Sequence, residues 1–187
     1  MKRIPQICIL AALALLAASC GGNSTLDDTE AAVMLTVEVE EYNPEIDICG
    51  ASGVDVTIDT MNVLSNPKEP GGTLGPAQDV NITRWVITPS RSDGGTTASP
   101  EWVIDQGVYV PAGGEANLEN WRVYPAEYFD EIPLLYLYPG EGGVDPETGH
   151  TNIRQTLQLQ MFGRTVSGKA VSTVPVNIAF NFFCVSP

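Results

Sequence analysis

From Val33 onward, apolar and polar residues alternate with a period of two. Val33, Leu35, Val37 and Val39 alternate with Met34, Thr36, Glu38 and Glu40, which predicts a strand with one buried face. Val54, Val56 and Ile58 repeat the pattern against Asp55, Thr57 and Asp59. The phase then slips at Thr60–Met61, so that Met61 and Val63 carry it on, as a β-bulge would require. Val80 to Thr88 predicts a central strand, with Val80, Ile82 and Val86 on one face and Trp85 and Ile87 on the other. Trp102–Ile104, Gly107–Pro111 and Ala116–Val123 predict shorter strands. Pro125 to Glu131 predicts one helical turn with proline near its start, and Ile132 to Tyr138 an extended segment. The last two strands are marked by Ile153, Leu157, Leu159 and Met161, and by the row Val174, Val176, Ile178, Phe180, Phe182, Cys184. Between them GRTVSG, residues 163–168, predicts a short hairpin connection. Pro175 lacks an amide hydrogen, so the final strand is expected at an edge, or bulged, near that point.

Seven to nine such strands, with turn signals between them, predict an all-β fold: an antiparallel β-sandwich over residues 33–187. Strand count and spacing resemble immunoglobulin-like and fibronectin type III-like modules. That resemblance implies that part of the first strand runs parallel to the last, so that both end at the same pole. The Cys–Trp–Cys core of antibody domains is not matched: Trp85 lies between two cysteines, but Cys184 closes the last strand and not the one before it.

The start of the chain follows a different pattern. Lys2 and Arg3 precede an apolar run, Ile7 to Ala18, which stops at Ser19-Cys20-Gly21-Gly22. A basic start, a short apolar core and small residues at the exit read as a secretory signal helix, too short for an ordinary membrane span. Leu16-Ala17-Ala18-Ser19-Cys20 resembles the lipobox of bacterial lipoproteins, with Ala17 where leucine is usual. The resemblance implies removal of residues 1–19 and lipidation of Cys20, with acyl chains enough for stable anchoring. Gly21, rather than aspartate, after the cysteine is compatible with outer-membrane sorting, facing the periplasm or the cell surface. Residues 20–32, small, polar and acidic, then read as a flexible tether.

The signal changes the charge and cysteine accounts. The whole chain carries −14; without Lys2 and Arg3, 23 acids face 7 bases, a net −16. Such a surface repels phosphate backbones and anionic lipid headgroups, so nucleic acid is not an expected partner. Solubility is the plainer reading of the charge, and a cation-binding or cationic-partner surface the sharper one. Cys8 leaves with the signal and Cys20 is the lipid site. Cys49 and Cys184 remain as a pair in an oxidising compartment, where a disulfide is expected.

Catalytic chemistry is not expected. The only histidine, His150, lies in the turn-rich GEGGVDPETGH, so no nucleophile–histidine or zinc site of the common kinds can be assembled. No protein cofactor is expected. Calcium is the one metal with candidate ligands, in Asp145-Pro146-Glu147-Thr148-Gly149 and Glu45-Ile46-Asp47, although neither stretch matches an EF-hand loop. Trp121, Tyr124, Tyr128, Phe129, Tyr136 and Tyr138 crowd one stretch. They read as core and rim, with a sugar-stacking platform or a protein-binding patch as the alternative. By the immunoglobulin-like analogy, connections 42–52, 89–100 and 138–150 meet at the pole of the disulfide, away from the tether and connection 64–79. That pole would carry Glu45, Asp47, Asp93, Glu141, Asp145 and Glu147 as an interaction surface. The expected role is structural or protein-binding in the bacterial envelope, with a carbohydrate- or calcium-binding module as the alternative.

Overall fold

A computed structural model describes residues 31–50 and 53–185 of the 187-residue chain. The signal, Cys20 and the tether up to Glu30 lie outside the described residues. The described body is all-β, with ten strands and four short 3-10 turns. Three strands, β1 (Val33–Tyr42), β3 (Val56–Pro67) and β7 (Glu115–Tyr124), form one sheet in the order β1-β3-β7. The facing sheet runs β2 (Glu45–Asp47), β10 (Val176–Phe183), β8 (Asn152–Thr165), β4 (Val80–Arg91), β5 (Trp102–Ile104). β6 (Val108–Val110) continues the lane of β5 along β4, and β9 (Ala170–Ser172) continues the lane of β10 along β8. Ten strands thus fill eight lanes, within the expected number.

Every pairing within the sheets is antiparallel except one. β2 runs parallel to β10, with Glu45, Ile46 and Asp47 opposite Asn181, Phe182 and Phe183. The chain starts in one sheet as β1, crosses at Asn43–Pro44, and joins the other beside the last strand. This is the arrangement that the immunoglobulin-like resemblance implied, and it brings residues 49 and 184 to one pole.

The alternation in the sequence places the core between the sheets. Val33, Leu35, Ile58, Met61 and Val63 point inward from one sheet; Ile82, Trp85, Leu157, Leu159, Met161, Ile178, Phe180 and Phe182 point inward from the other. Trp85 and Trp121 stack across the gap, ring centroids 4.1 Å apart, and the Trp85 indole donates to the Gln106 carbonyl at 3.0 Å. Large aromatic faces buried against each other contribute through area and dispersion together.

Four expectations need correction. In β4 the inward set is Val80, Ile82, Trp85 and Ile87, and Val86 lies on the outer face. The reason is a bulge between Ile82 and Arg84, which flips the phase by one residue. Opposite that bulge, β8 carries Gly163, where an added Cβ would lie 2.3 Å from the Asn81 carbonyl oxygen; the two backbones approach too closely for any side chain. Residues 132–138 are not extended: Leu134–Leu137 form a 3-10 turn, burying Leu134 and Leu137. The body starts at Ala31 rather than Val33, since Ala31 is buried and the Ala32 carbonyl accepts from the Lys68 amide at 3.0 Å. Val54 and Val174, expected on strand faces, lie outside the strands and are exposed.

The other local readings agree with the structure. The phase of β3 slips between Ile58 and Met61, where its pairing with β1 is irregular. Residues 126–130 form the expected helical turn behind Pro125. In the expected 163–168 stretch, residues 163–165 are still in β8 and the turn falls at 166–169, joining β8 to β9; the ladder breaks around Pro175 before β10 resumes opposite Leu159.

Candidate functional site

The strand directions put the segments 43–55, 92–101 and 125–151 at one end of the sandwich, hereafter the distal pole. The chain emerges at Ala31 at the opposite, proximal end, beside Pro67 and Lys68. Cys49 and Cys184 are bridged at the distal pole, across a sequence separation of 135. Asp47 accepts from the amides on either side of the bridge, Cys49 N and Val185 N, both at 3.1 Å. The Val185 amide holds the Asp47 carboxyl below the usual range; desolvation opposes it, and the Gly50 and Cys49 amides add to the lowering.

The centre of the pole is one arginine. Arg91 closes β4, and its side chain is 1% exposed. Its Nε and Nη2 donate to the two oxygens of Asp93 at 2.7 and 2.9 Å, and Nη2 donates also to Asp145 at 2.7 Å. Nη1 donates to the Thr97 carbonyl at 3.3 Å. Gly95 lies over the guanidinium, where a Cβ would come within 2.4 Å of Cζ. Asp93 further accepts from the amides of Arg154 and Gly95 at 2.8 and 3.2 Å. Asp145 accepts from Thr148 Oγ1 at 2.6 Å and from the Thr148 and Glu147 amides. A single buried cation therefore joins two long connections and the start of β8.

Two further contacts close the same loops. Gln155, fully buried on the inner face of β8, donates to Ser99 Oγ at 2.8 Å and accepts from the Ser99 amide at 3.2 Å. The Tyr124 hydroxyl donates to the same Ser99 oxygen. Burial raises the Tyr124 pKa above the ordinary tyrosine value. Glu147 accepts from the amides and hydroxyls of Thr96 and Thr97, which lowers its carboxyl below the usual range, the Thr97 hydroxyl first.

These contacts redistribute the expected site residues. All six acids do lie at one pole. Asp93 and Asp145, however, are not interaction-surface residues: their side chains are 6% and 1% exposed and face Arg91. Burying a carboxylate is tolerable only against a positive partner and hydrogen-bond donors, and the pole supplies both. Glu45 and Glu141 are exposed, Glu45 accepting from Asn181 at 2.7 Å. The three calcium candidates, Asp47, Asp145 and Glu147, are each held by separate N–H and O–H donors. Among the described residues no three His, Cys, Asp or Glu side chains converge as a metal site would need. His150 is exposed beside Asn152 and Arg154, at the rim of an open groove of about 480 Å³. The six crowded aromatics are buried or half-buried, and Tyr124 packs against Phe182 and Phe129 with centroids 5.1 and 5.8 Å apart.

The structural residues missed by periodicity alone are Arg91, Ser99 and Gln155. Gln155 had one visible signal: a polar side chain at an inward position of an otherwise apolar row. Arg91 had none, because its two partners lie in different connections.

The ion cluster gives a pH prediction. Burial tends to raise the Asp93 pKa, but the Arg91 guanidinium and the amides of Arg154 and Gly95 outweigh it and hold the group at about 2, against an ordinary value of 3.8. A depressed folded value means that the unfolded chain takes up the proton first as pH falls. The stabilisation is complete above pH 4 or so and is lost toward about pH 2, roughly 2 kcal/mol for this group. Urea denaturation midpoints measured across that window should fall, and Asp93→Asn should flatten the decline.

No family model matches the chain, and no curated protein matches it. Solved structures similar to it include the X-ray structure of a Northeast Structural Genomics Consortium target, SoR45, at TM-score 0.35 and 8% identity, covering 80% of this chain and 85% of that one. Another is the crystal structure of a protein from Archaeoglobus fulgidus, at TM-score 0.31 and 8% identity, covering 80% of this chain and 89% of that one.

Proposed function

We propose that this protein is an exported, lipid-anchored β-sandwich that holds its distal pole away from the membrane to bind a protein partner of the bacterial envelope or surface. The observation that carries the reading is the assembly of three long connections at the pole opposite Ala31. Those segments hold eleven acidic residues and no lysine or arginine. Arg91 neutralises Asp93 and Asp145 inside. Glu45, Glu101, Glu127, Asp130, Glu131, Glu141 and Glu147 are left exposed. Loops carried on a rigid sandwich are the usual place for recognition, and acidic exposed loops favour a cationic partner surface and fast, salt-sensitive association. The proposed role is binding: Asp93 and Asp145 are committed to Arg91, and the exposed acids are left to meet a partner.

The test is site-specific photocrosslinking in the native host. A crosslinker at Gly140 should capture a discrete partner, and Glu141→Lys with Glu45→Lys should weaken that capture severalfold. Equal capture from a crosslinker at Ser167, at the proximal pole, would sink the assignment of the binding face. An unmodified Cys20, read by mass spectrometry of the N-terminal peptide, would sink the anchoring.

A further inference from the structure

The outward row of β8 carries no acid. Arg154, Thr156, Gln158, Gln160, Phe162 and Arg164 face away from the core, and the residues from Gln155 to Met161 that alternate with them are buried. Strands β4, β9 and β10 beside it also lack aspartate and glutamate, although the chain holds 23 acids. Asn177 and Thr88 stand on either side of Gln158, and Ala179 and Ser90 on either side of Thr156. An arginine closes the row at each end. Arg154 and Arg164 lie ten residues apart, about 34 Å along a strand. Both are exposed, and among the described residues neither forms an ion pair. Nη1 of Arg164 donates to the Gly168 carbonyl at 3.1 Å, which leaves its Nε and Nη2 without a partner. An open groove lies at each end: the one beside Asn152 and Arg154 described above, and another of about 640 Å³ lined by Arg84, Phe162, Arg164 and Val171.

We propose that this face binds an extended acidic glycan laid along β8, with one uronate carboxylate at Arg154, another at Arg164, and a sugar ring on Phe162. Side-chain amides and hydroxyls both donate and accept, as sugar hydroxyls do, and they fill the middle of the row. A guanidinium takes a carboxylate through two parallel hydrogen bonds. Phe162, 37% exposed and diagonal to Val86 on β4, offers an apolar surface to a ring. A folded protein partner would need an apolar centre to its interface, and Thr156 to Gln160 with their neighbours are polar. An extended peptide would take main-chain hydrogen bonds from a strand edge, whereas this face presents side chains alone. Long-range attraction is not required. Four bases, Arg84, Arg154, Arg164 and Lys169, balance four acids at the rim, Glu45, Asp79, Glu101 and Asp105. The excess acid lies elsewhere, in part on the far sheet, where Glu38, Glu40, Glu115 and Glu119 are exposed. Sheets pack about 10 Å apart, and physiological salt screens charge over about 8 Å. The site lies on a sheet face, so it stands independently of what the distal loops bind.

The test titrates the full-length protein, purified in detergent, with hyaluronate oligosaccharides of increasing length at physiological salt. Calorimetry should show affinity rising about tenfold once the oligosaccharide is long enough to reach both arginines. Arg154→Gln and Arg164→Gln should each weaken the long oligosaccharide about tenfold, with an unchanged melting temperature, because both side chains are exposed. Phe162→Ala should weaken it severalfold. Glu38→Gln, on the opposite sheet, should leave it as it was. Failure to bind both hyaluronate and polygalacturonate overturns the proposal, and so does binding that survives the loss of both arginines. Equal binding of polyglutamate would make the face a site for acidic polypeptide instead. Self-association in sedimentation that disappears with the two arginines would assign the face to a second copy of the chain. None of these outcomes alters crosslinking from Gly140, so this site and the distal pole are judged separately.

Discussion

Arg91→Met should destabilise the domain by about 3–5 kcal/mol, lowering the melting temperature by about 10 °C or more. The methionine nearly fills the volume, so a void contributes little. The cost comes from two carboxylates, Asp93 and Asp145, left in a site where their side chains are almost wholly excluded from water. Each would keep its N–H donors but lose its counter-ion. Neutralising both, in Arg91→Met with Asp93→Asn and Asp145→Asn, should recover part of the loss, because amides need no counter-charge. A single substitution that melts no lower than the unaltered protein would show that the cluster is not the link between the loops. Hydrogen exchange adds a spatial readout: the amides of Gly95 and Arg154, which donate to Asp93, should lose protection before those in the middle of β8.

Replacing both bridged cysteines, Cys49→Ser with Cys184→Ser, should lower stability by up to about 4–5 kcal/mol, the chain-entropy value for a loop of this length. Denatured-state structure reduces that figure, so about 2–4 kcal/mol is the expected range in a urea titration. The loss should be local as well as global. β2 is only three residues long and pairs with β10 alone. The bridge and Asp47 hold its far end. Without them β2 should exchange its amides at nearly the unfolded rate while the β4–β8 ladder stays protected. An unchanged denaturation midpoint would mean that the parallel pairing and Asp47 suffice.

Both experiments act on the same pole, and both bear on the proposed function. A recognition surface made of loops needs those loops ordered before the partner arrives, since ordering them on binding subtracts from affinity. Arg91, Gln155, Asp47 and the disulfide supply that order from four directions. Weak capture by the Arg91→Met protein, with the exposed acids intact, would locate the defect in loop order rather than in surface charge.

Much of this molecule was legible from residue order. A period of two has only one way to bury its apolar half, so Val33–Val39, Ile153–Met161 and Ile178–Phe182 had to be strands with one face inward. The reading of a removed signal left one pair of cysteines and made the Cys49–Cys184 bridge the expected pairing, and the immunoglobulin-like resemblance implied that their strands end at one pole. Other features depend on atoms distant in sequence. The face presented by Val86 and Trp85 turned on a bulge that needs Gly163, a glycine 80 residues away, to let two backbones touch. The fate of Asp93 and Asp145 turned on Arg91. An acidic residue in a turn reads as surface until a buried guanidinium is found between two such turns. The contrast between an acidic pole and the acid-free outer row of β8 is likewise invisible in a net charge of −14, because charge sums along the chain while its field depends on where the strands deliver it. Periodicity is a local property and was decided by the sequence. Partnership between loops is a property of topology, and only the folded chain could decide it.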